Sequence, residues 1–171
     1  MALLEIVKYP APVLLTVGKP VEKFDEKLKK LVNDMFETMY EAKGVGLAAP
    51  QVNLSQRLFV MDCSGGEDAA QKIAVINPEI VAQEGEQLGD EGCLSFPGIY
   101  QKIQRNMRTV LRYQDVSGNW QELDGTELTA RCILHETDHC DGIVFLDRMT
   151  VLKREMAKRK IKQLQKTGKW E

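Results

Sequence analysis

No apolar run in the 171-residue sequence approaches the ~20 residues that a membrane-spanning helix requires. Its first eight residues, Met1 to Lys8, mix Glu5 and Lys8 with apolar residues, unlike a secretory signal or an Arg-rich, acid-poor transit peptide. The 4 cysteines, Cys63, Cys93, Cys132 and Cys140, never stand at C-x-x-C spacing, which argues against a structural zinc ribbon. Without a signal peptide they read as free thiols in a reducing, cytosolic compartment. Repeats and low-complexity segments are missing too. Hydrophobic residues at 43% and charged residues at 28% exclude a disordered, fibrous or coiled-coil protein. One domain spanning residues 1–171 is expected from the length. Histidine is the scarcest chemical resource, with 2 residues, His135 and His139, four positions apart.

Charge is present but unevenly spread. From Val151 onward eight basic residues meet two acidic ones, so this segment carries +6 and the rest −8, for a net −2. Such asymmetry suggests a basic docking surface.

The apolar spacing of Leu28, Leu31, Val32, Met35, Phe36, Met39 and Tyr40 predicts a helix, with Asp25 as its cap and Gly44 as its stop. Leu58–Met61 and Ile73–Ile76 read as buried strands, and Ser64–Asp68 as the loop between them. Residues 79–87 and 99–115 read as antiparallel strands, and 120–123 as another. A helix is expected from Glu127 to His139 after a Thr126 cap, and a last one, capped by Thr150, over about 151–166. On that last helix Val151, Leu152, Met156, Ile161 and Leu164 are the residues left for packing. Helix, strands, then helices imply an α+β fold: antiparallel sheets packed around a central metal-binding helix, with a C-terminal helix.

His135-Glu-Thr-Asp-His139 is an H-E-x-x-H sequence on a predicted helix. Positions i and i+4 lie on one face, so both imidazoles can converge on one metal ion. The intervening Glu136 can act as a general base toward a water at an open coordination position. Hydrolytic sites use three protein ligands. The metzincin pattern has its glycine at Gly142, but Phe145 stands where its third His would be, so the third ligand must be Cys, Asp or Glu. Cys132 lies seven residues from His139, about 10 Å along the helix, too far for a short side chain. Cys140 points away from His135. Glu155 would complete a His/His/Glu endopeptidase set, but lies in a basic, solvated-looking helix. That leaves Cys63 and Cys93. Gly92 and Pro97-Gly98 flank Cys93 and permit a tightly turned backbone beside a metal, whereas Cys63 ends an apolar run and reads as a core edge.

Gly44-Val-Gly-Leu-Ala-Ala-Pro-Gln51, Glu91-Gly-Cys-Leu-Ser95 and His135-Glu-Thr-Asp-His139 together resemble, in order and spacing, the three motifs of peptide deformylases. The resemblance runs from the N-terminal arm to the last helix. It implies that Cys93, His135 and His139 bind the metal, natively Fe²⁺, with Zn²⁺, Ni²⁺ or Co²⁺ as substitutes. It implies that Glu136 is the general acid/base. Gln51 and the Leu94 backbone N–H would hold the formyl oxygen, with the Gly46 backbone nearby. Val45 and Cys132 are the candidate walls of an apolar pocket for the substrate's methionine side chain. The implied activity is removal of the formyl group from the N-terminal formyl-methionine of new polypeptides, releasing formate. Implied partners are formylmethionyl nascent peptides and, through the basic helix, the ribosome; neither membrane nor DNA is expected. With no transit or signal segment in evidence, a bacterial cytoplasm is the expected compartment. Asp138 is expected in an ion pair with Arg105. Leu134 and Cys140 depart from the Gln and Leu usual beside the two metal histidines.

Overall fold

The computed structural model describes residues 2–170. Helix α1 (Glu26–Glu41) starts where expected: the Asp25 carboxylate accepts the Leu28 N–H at 3.0 Å, satisfying one of the orphan donors of the first turn. Its end differs from expectation. Lys43, not Gly44, takes the left-handed conformation, with φ of 59°. Gly44 is demanded by packing instead, since a Cβ there would lie 2.8 Å from Leu94 Cδ1.

Strands β1 (Gly46–Ala48), β2 (Leu58–Met61), β3 (Ile73–Glu84), β4 (Gln87–Gly92), β5 (Tyr100–Arg105), β6 (Arg108–Gln114) and β7 (Trp120–Thr126) follow. Five of them form one antiparallel sheet in the order β1-β2-β3-β6-β7, while β4 and β5 make a separate two-stranded ribbon. The predicted strands at 73–76 and 79–87 merge into one β3, which ends at Glu84 and shifts its register against β6 between Ile76 and Glu79 and between Ile80 and Ala82. The predicted strand at 99–115 is divided at Asn106-Met107 into β5 and β6, which lie in different sheets. Strand β4 has no counterpart among the expected elements, because its six residues, Gln-Leu-Gly-Asp-Glu-Gly, show no apolar alternation.

Helix α2 (Glu127–Cys140) crosses the sheet and is buried continuously from Ala130 to Cys140. Thr126 occupies its N-cap position but makes no side-chain capping bond. Cys132, Ile133 and Cys140 pack with Phe59, Met61, Val75 and Leu111 of the sheet. A second cluster places α1 (Leu28, Val32, Met35, Met39) on Leu47, Leu58 and Ile76. A third joins Phe96, Ile99 and Ile103 to Phe145, Leu146 and Met149.

Helix α3 (Val151–Lys166) opens with the Thr150 hydroxyl accepting the Lys153 N–H. Its packing corrects the sequence expectation. Val151, Leu152 and Met156 are 74%, 71% and 51% exposed; only Ala157, Ile161 and the half-buried Leu164 meet the core. Spacing of i, i+4 and i+7 gives one narrow stripe, and the apolar residues of the first turn lie outside it.

Candidate active site

The two histidines of α2 are oriented by what lies behind them. His135 Nδ1 sits 2.6 Å from Glu91 Oε2, so an N–H there donates to the carboxylate and leaves Nε2 free as a ligand. His139 Nε2 lies 3.4 Å from Cys93 Sγ. Cys93 follows β4 and begins a tight turn in which the Phe96 N–H donates to the Cys93 carbonyl at 2.9 Å. One donor atom from each of Cys93, His135 and His139 falls within 4.8 Å of the others. A thiolate and two imidazoles are a donor set suited to a divalent transition metal. Cys63 and Glu155 are not in this cluster, and Glu155 is exposed.

Behind the ligands lies a buried ion network. Glu91 accepts from Arg105 Nε at 3.0 Å, Arg105 Nη2 at 2.7 Å and Arg131 Nη1 at 3.0 Å. Asp138 pairs with Arg105 at 2.8 Å, as expected, and also accepts both Nε and Nη2 of Arg148. Burial alone would raise the Glu91 carboxyl, but hydrogen bonds from His135 and Arg105 outweigh it and hold the group well below the usual carboxylate range. Sequence reasoning missed Glu91, Arg131 and Arg148. One signal was present: Glu91 stands two residues before Cys93, inside the second motif.

Glu136 sits one residue past the first ligand and is buried. Its Oε1 has no hydrogen-bond partner among the described residues. Burial pushes its carboxyl up to about 7, the range in which one group can both accept and return a proton near neutral pH. Gly46 makes room for it, because a Cβ on Gly46 would fall 2.5 Å from Glu136 Oε2.

Gln51 is buried in a 3-10 turn (Ala49–Val52) and held at both ends. Its Oε1 accepts the Ala48 N–H at 3.0 Å; its Nε2 donates to Ser95 Oγ at 3.1 Å and lies 3.6 Å from Cys93 Sγ. A cavity of about 270 Å³ opens over these groups. Val45, Gly46, Leu94 and Cys132 line it, together with Tyr100 and Leu128 at its exposed side. Each site residue named from the sequence therefore lies in or against this one cavity or in the metal cluster. Leu134 and Cys140 are both buried beside the histidines, and Cys140 packs in the sheet-facing core.

A family model described as polypeptide deformylase matches residues 3–155. The chain belongs to the peptide deformylase family. A peptide deformylase of Acidobacterium capsulatum is 49% identical over 170 residues, covering 99% of this chain and all of the relative. One of Chromobacterium violaceum is 50% identical over 166 residues, covering 97% and 98% of the two chains. A crystal structure of a peptide deformylase from Legionella pneumophila superposes with a TM-score of 0.91 at 44% identity, covering 98% of each chain. The α+β fold with antiparallel sheets and a C-terminal helix is thus that of the deformylases. As in the family, the reaction is hydrolysis of the N-terminal formyl amide of newly made polypeptides. No helix among the described residues is long and apolar enough to cross a membrane.

Proposed function

We propose that Cys93, His135 and His139 hold one divalent ion, natively Fe²⁺, and that the cavity above them takes the formyl-methionine end of a nascent chain. The convergence of the three donor atoms beside the Glu136 carboxylate, whose Oε1 has no hydrogen-bond partner among the described residues, carries this reading. An ion held there supplies Lewis acidity, polarising the formyl carbonyl and making a water acidic enough to ionise near neutral pH. Glu136 takes the proton of the attacking water and delivers it to the amide nitrogen, which leaves as a free amine. Gln51 Nε2 and the Leu94 N–H donate to the formyl oxygen as negative charge gathers on it, each worth ~3 kcal/mol. The Glu91 carboxylate keeps His135 in the ligating tautomer.

Strand β1 is a sheet edge, and its Gly46 lines the cavity, so a substrate backbone can lie alongside it. A formyl carbon bears only hydrogen, and the narrow space between Gly46 and Glu136 favours it over larger acyl groups. Val45 and Cys132 wall the methionine pocket.

The bacterial relatives support a bacterial cytoplasm as the site of action. The +6 on the segment from Val151 onward supports docking of α3 on the phosphate-rich ribosome.

Formate release from formyl-Met-Ala-Ser tests the reaction. Turnover that requires the metal and spares acetyl-Met-Ala-Ser is the expected result. Cleavage of internal peptide bonds without deformylation would replace this reading with an endopeptidase.

A further inference from the structure

Trp170 lies beyond the end of α3 and returns to the turn that begins at Cys93. Its indole N–H donates to the Tyr9 carbonyl at 2.8 Å, and its ring stands edge-on to Phe96 with centroids 6.1 Å apart. Tyr9 stacks on the same phenyl ring at 4.8 Å. A third aromatic, Phe145, is edge-on to Phe96 at 4.8 Å and lies 5.8 Å from the His135 ring. The Tyr9 N–H donates to the Ser95 carbonyl at 3.0 Å, and the Val7 N–H donates to the Gln51 carbonyl at 2.8 Å. Tyr9, Trp170 and Cys93 all pack against the apolar cluster that contains Phe96. The C-terminal segment and the N-terminal arm thus meet behind the turn that carries the metal thiolate.

Both donors assigned to the formyl oxygen depend on this turn. The Leu94 N–H belongs to it, and Gln51 Nε2 is held by Ser95 Oγ, which belongs to it as well. We infer that Trp170 is a positioning residue: by clamping Tyr9 and Phe96 from behind, it fixes the Cys93–Phe96 turn and so the aim of Gln51 and the Leu94 N–H. Its effect on rate rests on the proposed role of those two groups as donors.

The turn needs such a clamp because it lies outside both sheets, between the end of β4 at Gly92 and the start of β5 at Tyr100. Its own backbone bonds, from the Phe96 N–H to the Cys93 carbonyl and from the Ile99 N–H to the Phe96 carbonyl, shape it without anchoring it. Anchorage comes from Tyr9 on Ser95, from Phe96 among three aromatic rings, and from Lys160 of α3, whose Nζ donates to the Gly98 carbonyl at 2.9 Å. Removing the indole loosens Tyr9 and Phe96 together. Donors to an oxyanion act by being held in place before the charge develops. Their misplacement is felt in the transition state and hardly in substrate binding, so it lowers kcat and spares KM.

The test uses metal-loaded enzyme and formyl-Met-Ala-Ser. Trp170→Ala should lower kcat about tenfold, leave KM within about twofold and retain its metal by elemental analysis. Trp170→Phe keeps a ring beside Phe96 and gives up only the N–H to Tyr9; it should lose about threefold in kcat, and it carries the test if the alanine variant folds poorly. Trp120→Ala removes the other tryptophan, which stacks with Arg112 on the surface, and should change kcat by less than about twofold. Gln51→Ala by itself should cost at least ~10²-fold in kcat. In that background Trp170→Ala should cost less than about threefold, because one of the two donors it positions is already gone. An unchanged kcat in well-folded Trp170→Ala and Trp170→Phe overturns the proposal, as does a full tenfold loss that persists without the Gln51 side chain. A loss confined to KM, or one reversed by resupplying metal, overturns it too, since Trp170 would then shape the pocket or hold the ligands. Failure of the donor reading shows separately, as an unchanged kcat in Gln51→Ala, and takes the proposal with it.

Discussion

Replacing Glu91 by glutamine keeps the shape of the side chain and removes one negative charge from the middle of the ion network. Glu91 and Arg105 each expose only 5% of their side chains, so solvent cannot compensate. The donors divide evenly between the two carboxylate oxygens. Oε1 receives Arg105 Nε and Arg131 Nη1; Oε2 receives Arg105 Nη2 and faces His135 Nδ1. An amide can turn either way, but its NH₂ then confronts two N–H donors in both cases. Removing one partner of a buried pair costs about 3–5 kcal/mol, because the other charge is left uncompensated. At about 2–4 °C per kcal/mol for a chain of this size, Tm should fall by roughly 6–20 °C. Measured on metal-free protein by calorimetry, the effect is isolated from metal binding. The exposed neighbour Asp90→Asn makes the same charge change and should stay within about 0.5 kcal/mol of wild type. Glu91→Gln also releases His135 from its tautomer, so metal affinity should weaken about 10–100-fold in a chelator competition. A Tm within ~2 °C of wild type together with unchanged metal affinity would refute the claim that this network organises the site.

Cys93→Ser should lose both metal and activity, since a hydroxyl does not ionise readily; full metal occupancy by elemental analysis would remove Cys93 from the ligand set. Glu136→Ala should retain its metal yet lose at least ~10²-fold in kcat, and loss of the metal instead would show a ligand or structural role. Cys132→Phe should raise KM for formyl-Met peptides, at an overpacking cost of about 1–3 kcal/mol read in the melting curve. Changing Lys158, Arg159 and Lys162 together to Glu should reduce cosedimentation with ribosomes while formate release from a short peptide stays normal. Undiminished cosedimentation at low salt counts against docking through α3.

Local chemistry was legible in the sequence wherever it repeats at the spacing of one element. The i, i+4 histidines announced a common face, Asp25 announced the start of α1, and Leu58–Met61 announced β2 by its unbroken apolar run. The resemblance to deformylases added the third ligand and the roles of Gln51 and Leu94, which no periodicity contains. Strand β4 was illegible for a physical reason. It is held by pairing with β5 and by the buried charge of Glu91, not by an apolar face of its own. Val151, Leu152 and Met156 failed in the opposite sense: apolar spacing marks a candidate face but says nothing of whether a neighbour exists to cover it.

By itself the sequence determined the donor types, the helix that aligns two of them, the acid beside them and the segregated charge of the C-terminal segment. Each follows from residue type and from the fixed geometry of a single element. Tertiary structure alone decided what meets across long chain distances. It set Cys93 against His139, 46 positions away, and gathered Arg105, Arg131 and Arg148 from three different segments around two carboxylates. It also pressed Gly46 onto Glu136. Such contacts depend on how the sheet, the β4–β5 ribbon and α2 pack on one another. Packing is a property of all the buried surfaces together, so no stretch of sequence carries it alone.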